Sequence, residues 1–299
     1  MADDAVIITE GLTKRFGSLT ALDRLSIAVA PGEVFGFLGP NGAGKTTTIR
    51  LLLGLARPSE GSARIFGHDC WSERQEAHRE LAFVPGEFDA WPTLRGGEML
   101  DLLGSIHGPY DQHFRDELCQ RFEFDPGTRG RAYSKGNRQK ISLIAALMVR
   151  PKLLLLDEPT NGLDPLMEVA FRHCIDEARA NGQTVFLSSH ILSEVEALCD
   201  RVGILRSGAL VEVGTLDDLR RLKSTEVAIA FATTPVPDLS GLAGVEVVGV
   251  DGVNVTLRLR GEPTELLRAL APHEVTSLDI REPSLEELFL TFYGGDPAP

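Results

Sequence analysis

Residues 39–46 read Gly-Pro-Asn-Gly-Ala-Gly-Lys-Thr, which is G-x-x-x-x-G-K-[ST]. They follow the apolar run Val34–Leu38 and open a helix-forming stretch, Lys45–Leu52. Strand, glycine-rich turn and helix are the setting in which this motif holds phosphate. Gly39, Gly42 and Gly44 lack a Cβ, so their backbone can approach phosphate oxygens closely. Amides of Gly42, Gly44, Lys45 and Thr46 can form an anion nest at a positive helix end. The Lys45 ammonium suits the β- and γ-phosphates, and the Thr46 hydroxyl suits Mg²⁺. A nucleoside triphosphate is the expected ligand, with Asn41, Ala43 and Thr47 completing the wrap.

A second constellation sits at Leu153–Leu156, a solid apolar run ending in Asp157-Glu158. A strand buried on both faces of a parallel sheet reads this way. Its carboxyl end is where an open α/β sheet binds ligands. Asp157 is expected to hold Mg²⁺ together with Thr46. Glu158 is expected nearer the γ-phosphate, polarising the attacking water as general base.

These groups need a scaffold, and the pattern supplies one. Strands are expected at 5–9, 25–30, 62–66, 80–84, 153–156 and 184–188, with a hairpin over 201–213 turning at Ser207-Gly208. Apolar spacing predicts helices at 96–106, 111–122, 138–149, 165–180 and 191–199. From about residue 88 to 150 the pattern is helical throughout. After residue 219 its character changes: strands at 227–232, 245–250, 253–259 and 275–280, and short helices at 263–270 and 284–292. Two domains follow, 1–219 and 220–299, the second a small α+β appendage without a catalytic motif.

Bulk properties narrow the partners. The 299 residues carry a net charge of −13, and the appendage has seven Lys and Arg against twelve Asp and Glu. Nucleic-acid binding depends on neutralising phosphate, so no nucleic acid is expected. Cys70, Cys119, Cys174 and Cys199 lack C-x-x-C spacing and are expected as buried small apolar groups in a reducing compartment. The acidic start, Met1-Ala2-Asp3-Asp4, is unlike a signal peptide, and no stretch reaches 18 apolar residues.

Five motifs occur in an order that resembles the ATP-binding cassette ATPases over residues 5 to about 219. Beyond the phosphate loop and Asp157-Glu158, Asn161-Gly162-Leu163-Asp164 looks like the D-loop. Ser134-Lys135-Gly136-Asn137 looks like the signature motif, and His190 like the switch histidine. Phe16 matches the aromatic that stacks on adenine. The resemblance implies an α/β fold: a P-loop NTPase core with a parallel sheet, an inserted helical subdomain and the small C-terminal domain. It also implies ATP and Mg²⁺ as cofactors and ATP hydrolysis as the activity. Two copies would sandwich two ATP molecules head to tail, with Ser134, Gly136 and Asn137 facing the partner's nucleotide. His190 would hydrogen-bond the γ-phosphate and position water. A separate integral membrane permease would be the partner, with this chain on its cytoplasmic face. A soluble cassette ATPase acting on nucleic acid or ribosomes, or a nucleotide-gated regulator, is the rival.

Two departures stand out. Gly86 occupies the position of the usual Gln after strand 80–84, followed by Glu87, whose role the sequence leaves open: it could replace the Gln as a metal or water contact, but a carboxylate near a γ-phosphate is repulsive unless Mg²⁺ intervenes. The signature has Tyr133 for Leu, Lys135 for the first Gly and Asn137 for Gln. Both departures, and Glu282–Phe289, resemble ATPase subunits of prokaryotic exporters with a separate permease. Phe88, Trp91 and Pro92, within Glu87–Glu98, are the expected docking surface.

Overall fold

A computed structural model describes residues 4–221 and 225–281. In chain order the elements are β1 (Ile7–Phe16), β2 (Leu19–Val29), β3 (Val34–Leu38), α1 (Lys45–Leu52), β4 (Glu60–Ile65), β5 (His68–Asp69), α2 (Arg74–Ala77) and β6 (Leu81–Val84). Then come α3 (Gly96–His107), α4 (Gln112–Arg121), α5 (Lys135–Met148), β7 (Leu153–Asp157), α6 (Pro165–Ala180), β8 (Thr184–Ser189), α7 (Leu192–Leu198), β9 (Arg201–Arg206) and β10 (Ala209–Thr215). The chain continues through α8 (Leu216–Arg221), β11 (Thr225–Phe231), β12 (Val245–Asp251), β13 (Asn254–Leu259), α9 (Thr264–Leu270) and β14 (Val275–Arg281). Two compact units divide between Val213 and Gly214, six residues before the position expected from the sequence. The expected helix at 284–292 lies outside the described residues.

In the first unit a six-stranded sheet has the order β10-β9-β3-β8-β7-β6. The pairs β9–β3, β3–β8, β8–β7 and β7–β6 are parallel. Every residue of β3, β7 and β8 is buried, which is why the middle of each strand reads as an apolar run. A second, antiparallel sheet has the order β2-β1-β4-β5. The shared core draws Leu12, Leu25 and Val29 from that sheet, Phe35, Phe37 and Phe186 from the parallel one, and Ile49 and Leu52 from α1. Phe186 stacks on Phe35 at 5.8 Å between centroids and tilts against Phe37 at 5.3 Å. The sequence suggested two short strands, 5–9 and 25–30, where β1 and β2 run much further. Their pairing shifts register three times, and those shifts break the alternation that reveals a strand.

Helices α3 and α4 pack on α5. Gln139 through Met148 of α5 are all buried, and each such Leu or Ile contributes about 1.5–3 kcal/mol relative to exposure. The helix starts at Lys135, three residues before its expected position. Ser134 supplies the reason, because its Oγ accepts from the Asn137 amide at 3.3 Å as an N-cap. Tyr133 explains itself too: its hydroxyl donates to the Asp125 carbonyl at 2.6 Å and its ring tilts against Phe124. Burial pushes its phenol up to about 12.

The second unit is an antiparallel sheet of order β12-β13-β11-β14. Val227, Ile229, Val255 and Leu257 form its core with Leu266 and Leu270 of α9. All four cysteines are free and buried. Burial pushes the Cys70 thiol up to about 12 and those of Cys119 and Cys174 to about 11, so each behaves as a small apolar group.

Candidate functional site

The site lies where β3, β7 and β8 end side by side. Parallel register puts Leu38 beside Ser189, and Asp157 beside Ser188. The chain leaves β3 through the glycine-rich turn and enters α1 at Lys45. Gly44 caps that helix at φ 113°, a left-handed conformation, and a Cβ there would stand 2.8 Å from the Ala21 carbonyl. A Cβ on Gly39 would stand 2.6 Å from the Leu205 carbonyl. No side chain caps α1, so its first amides are free to take an anion.

Lys45 is only 4 % exposed although it carries a charge. Its ammonium donates to the Gly39 carbonyl at 2.6 Å and the Pro40 carbonyl at 3.3 Å, and lies 3.3 Å from Glu158 Oε1. Three oxygens around three donors satisfy it, as a buried ammonium requires. Glu158 Oε1 also lies 3.3 Å from His190 Nδ1. One carboxylate thus stands between the phosphate-loop lysine and the histidine after β8. Glu158 holds a left-handed backbone at φ 48°, and its amide donates to the Ser188 carbonyl at 3.0 Å. A non-glycine residue in that region is strained, and such strain concentrates at functional sites.

Asp157 is buried, with Thr46 Oγ1 3.5 Å from its Oδ1 and the Ser188 hydroxyl donating to the same oxygen at 2.6 Å. Ala21, Asn41, Gly42, Gly44, Lys45, Thr46, Thr47 and Glu158 line one open cleft. Ala43 is buried in the loop behind it, its carbonyl accepting from the Gly208 amide at 2.9 Å. Phe16 is 53 % exposed, with Lys14 Nζ 4.8 Å from its ring centroid.

Ser134, Gly136, Asn137 and Asp164 do not line this cleft. Asp164 caps α6, accepting from the Leu166 and Met167 amides at 3.1 Å. Gly136 packs on the D-loop: a Cβ there would stand 2.5 Å from the Gly162 carbonyl. Glu87 does not line the cleft, and its Oε1 accepts from Lys135 Nζ at 3.2 Å. A Cβ on the neighbouring Gly86 would stand 3.2 Å from the Asp157 carbonyl.

Three residues carry roles that the sequence alone does not reveal. Ser188 orients Asp157. Gln139 is buried and donates from one amide nitrogen to the carbonyls of Pro85 at 3.1 Å and Pro159 at 3.2 Å. Glu194 is 9 % exposed and accepts from the Ser189 hydroxyl at 2.5 Å. Ser189 in turn accepts from the Ile191 amide at 3.0 Å, which fixes the backbone on both sides of His190. Burial raises the Glu194 carboxyl above the ordinary carboxylate value, against the lowering effect of its hydrogen bond from Ser189. Only Ser188 left a signal, as a hydroxyl at the end of a buried strand.

The sequence matches the ABC transporter family over residues 22–161 and the C-terminal domain of DrrA1-3-like ATP-binding proteins over 214–293. It is 34% identical to the bacitracin transport ATP-binding protein BcrA of Bacillus licheniformis, covering 97% of this chain and 98% of that one. The chain belongs to the ATP-binding subunits of ABC transporters. As such a subunit it binds and hydrolyses ATP. The daunorubicin resistance ATP-binding protein DrrA3 of Streptomyces coeruleorubidus is also 34% identical, over 99% of this subunit and 98% of its own length. The solved ATP-binding subunit of an ABC transporter superposes with a TM-score of 0.68 at 31% identity, covering 73% of this subunit and 92% of that chain. The same fold occurs in the dimeric, post-hydrolysis cassette MJ0796 bound to ADP and Pi, at a TM-score of 0.64 and 21% identity, over 70% and 98% of the two chains. Among the described residues no helix of the subunit is long and apolar enough to cross a membrane.

Proposed function

We propose that two copies of this subunit close head to tail on two ATP molecules and drive export of a drug- or antibiotic-type compound through a separate membrane permease. The observation that carries the catalytic part is the Glu158 carboxylate, 3.3 Å from both Lys45 Nζ and His190 Nδ1. Glu158 polarises the attacking water, and His190 hydrogen-bonds the γ-phosphate and orients that water. On binding, Lys45 exchanges the Gly39 and Pro40 carbonyls for β- and γ-phosphate oxygens. Phe16 offers its exposed face to adenine.

Thr46 Oγ1 and Asp157 Oδ1, 3.5 Å apart, are hard oxygen donors of the kind Mg²⁺ takes. These two residues would hold the ion, whose charge would neutralise the β- and γ-phosphate oxygens. Ser188 keeps Asp157 aimed by donating to it. Ser134, Gly136 and Asn137, with the first amides of α5, receive the γ-phosphate held by the partner copy. Asp164 fixes the start of α6 beside them.

The relatives named for bacitracin transport and daunorubicin resistance support the cargo class. For the permease, support comes from an apolar groove lined by Phe83, Pro85, Phe88, Leu103, Ile106 and Ala146. Ile106 is 73 % exposed at its edge, and Trp91, 43 % exposed, meets Phe88 edge to face at 6.2 Å. Large exposed apolar groups clustered around a groove suit a partner's helix. The subunit then sits at the cytoplasmic face of the membrane through its permease.

The test is a pull-down of the tagged Glu158→Gln chain from detergent-solubilised native membranes with MgATP, read by mass spectrometry. A multi-span membrane protein in stoichiometric amount is expected. Ribosomal or other soluble partners alone would replace export with the soluble-ATPase alternative.

A further inference from the structure

The residue that follows Gly86 and the lysine that replaces the first Gly of the signature motif meet in space. Lys135 and Glu87 lie 48 residues apart, yet Lys135 Nζ donates to Glu87 Oε1 at 3.2 Å. The stem of Lys135 lies along the D-loop, since a Cβ on Gly162 would stand 3.5 Å from its Cγ and 3.6 Å from its Cδ. One side chain therefore spans from the D-loop to the loop after β6, starting from the first residue of α5.

The pair is not there to stabilise the fold. The side chains of Lys135 and Glu87 are 57 % and 81 % exposed, and such pairs contribute little in water. Its meaning appears when an anion reaches the start of α5. Lys135 is then the side-chain cation beside the free amides of that turn, and Glu87 already occupies it. A carboxylate and a phosphate compete for one ammonium, and they also repel each other.

We propose that Glu87 is a positioning residue of the signature site: it holds Lys135 along Gly162 in the separated subunit and competes for it with the γ-phosphate carried by a partner copy. The pair thereby sets the ATP concentration at which two copies close. This rests on the head-to-tail sandwich proposed above. It gives the loop after β6 a link to the partner's nucleotide without the usual Gln.

The test measures MgATP-driven self-association by analytical ultracentrifugation in the Glu158→Gln chain, alone and with Glu87→Gln, Lys135→Gln or both. Glu87→Gln is expected to lower the ATP concentration for half-maximal dimer about two- to fivefold. Lys135→Gln is expected to raise it, and in that background Glu87→Gln loses most of its effect. Moving from 0.1 M to 1 M salt shrinks the Debye length from about 10 Å to about 3 Å and should erase the difference. ATP binding to the monomer stays unchanged in all four chains, so the shift is read in closure alone, and its loss in the Lys135→Gln background is what a merely structural role would not predict. Equal shifts by Glu87→Gln with and without Lys135, or no shift, overturn the pairing while leaving the sandwich intact. A Glu158→Gln parent that never dimerises with MgATP overturns the sandwich, and the competition falls with it.

Discussion

In the proposed sandwich the end of β7 and the start of α5 both face phosphate, but they are finished to different degrees. At β7, every polar group has a partner within the chain: Lys45 has three oxygens, Asp157 has Ser188 and Thr46, and Glu158 has Lys45 and His190. At α5, Ser134 is engaged only as a cap, and Asn137 contributes its backbone amide to that cap. Lys135 reaches a solvent-exposed carboxylate. The difference teaches which half of a composite site one chain can assemble. Buried groups must be satisfied at home, whereas exposed groups can wait for a second molecule.

The largest expected effect lies at the finished half. Glu158→Gln keeps the shape but removes the base, so ATP turnover should fall about 10²–10⁴-fold while ATP stays bound. A steady-state phosphate-release assay with a parallel nucleotide-binding titration decides it, and normal turnover would mean that another group is the base. The unfinished half should respond differently. Ser134→Ala should leave ATP affinity of the monomer unchanged and weaken closure of two copies about tenfold, through loss of a cap worth about 1 kcal/mol and of a phosphate donor. Equal losses in monomer binding would erase the distinction between the two regions.

The smallest effect concerns the loop that carries His190. The Glu194 carboxyl is raised from 4.5 chiefly by burial, with Glu168 adding to the rise and His190 opposing it. Folded chains therefore hold this proton at pH values where unfolded chains have lost it. Stability should fall as pH climbs from about 4.5 through the folded value, and stay at the lower level above it. Glu194→Gln removes that dependence and should raise the melting temperature near neutral pH by about 2–4 °C per kcal/mol recovered. Differential scanning calorimetry between pH 4 and 8 reads both slopes, and identical slopes would deny Glu194 the role.

Much of the finished half was legible in the chain because its parts are local. Gly39–Thr46 carry their own turn and helix start, and Asp164-Pro165 announces α6 with a cap and a proline at its first position, so its bounds at 165 and 180 were readable. Strands β7 and β8 were visible as apolar runs ending in polar residues, but not that β8 lies between β3 and β7. That order alone puts Ser188 beside Asp157. Gln139 and the Glu87–Lys135 pair were illegible for the same reason: their partners are 20 to 54 residues away. No local periodicity encodes such contacts.

Gln139 has one amide nitrogen with two hydrogens, and the structure uses both. Pro85 lies beside the groove at Phe88, and Pro159 directly follows Glu158. A buried side chain of fixed length therefore acts as a strut between the outer groove and the hydrolysis end of β7. Separating those loops by an ångström or more would strand a buried donor, at about 1–3 kcal/mol. If a permease docks at the groove as proposed, force applied there would be transmitted as a displacement, with little slack, to the backbone that carries Glu158.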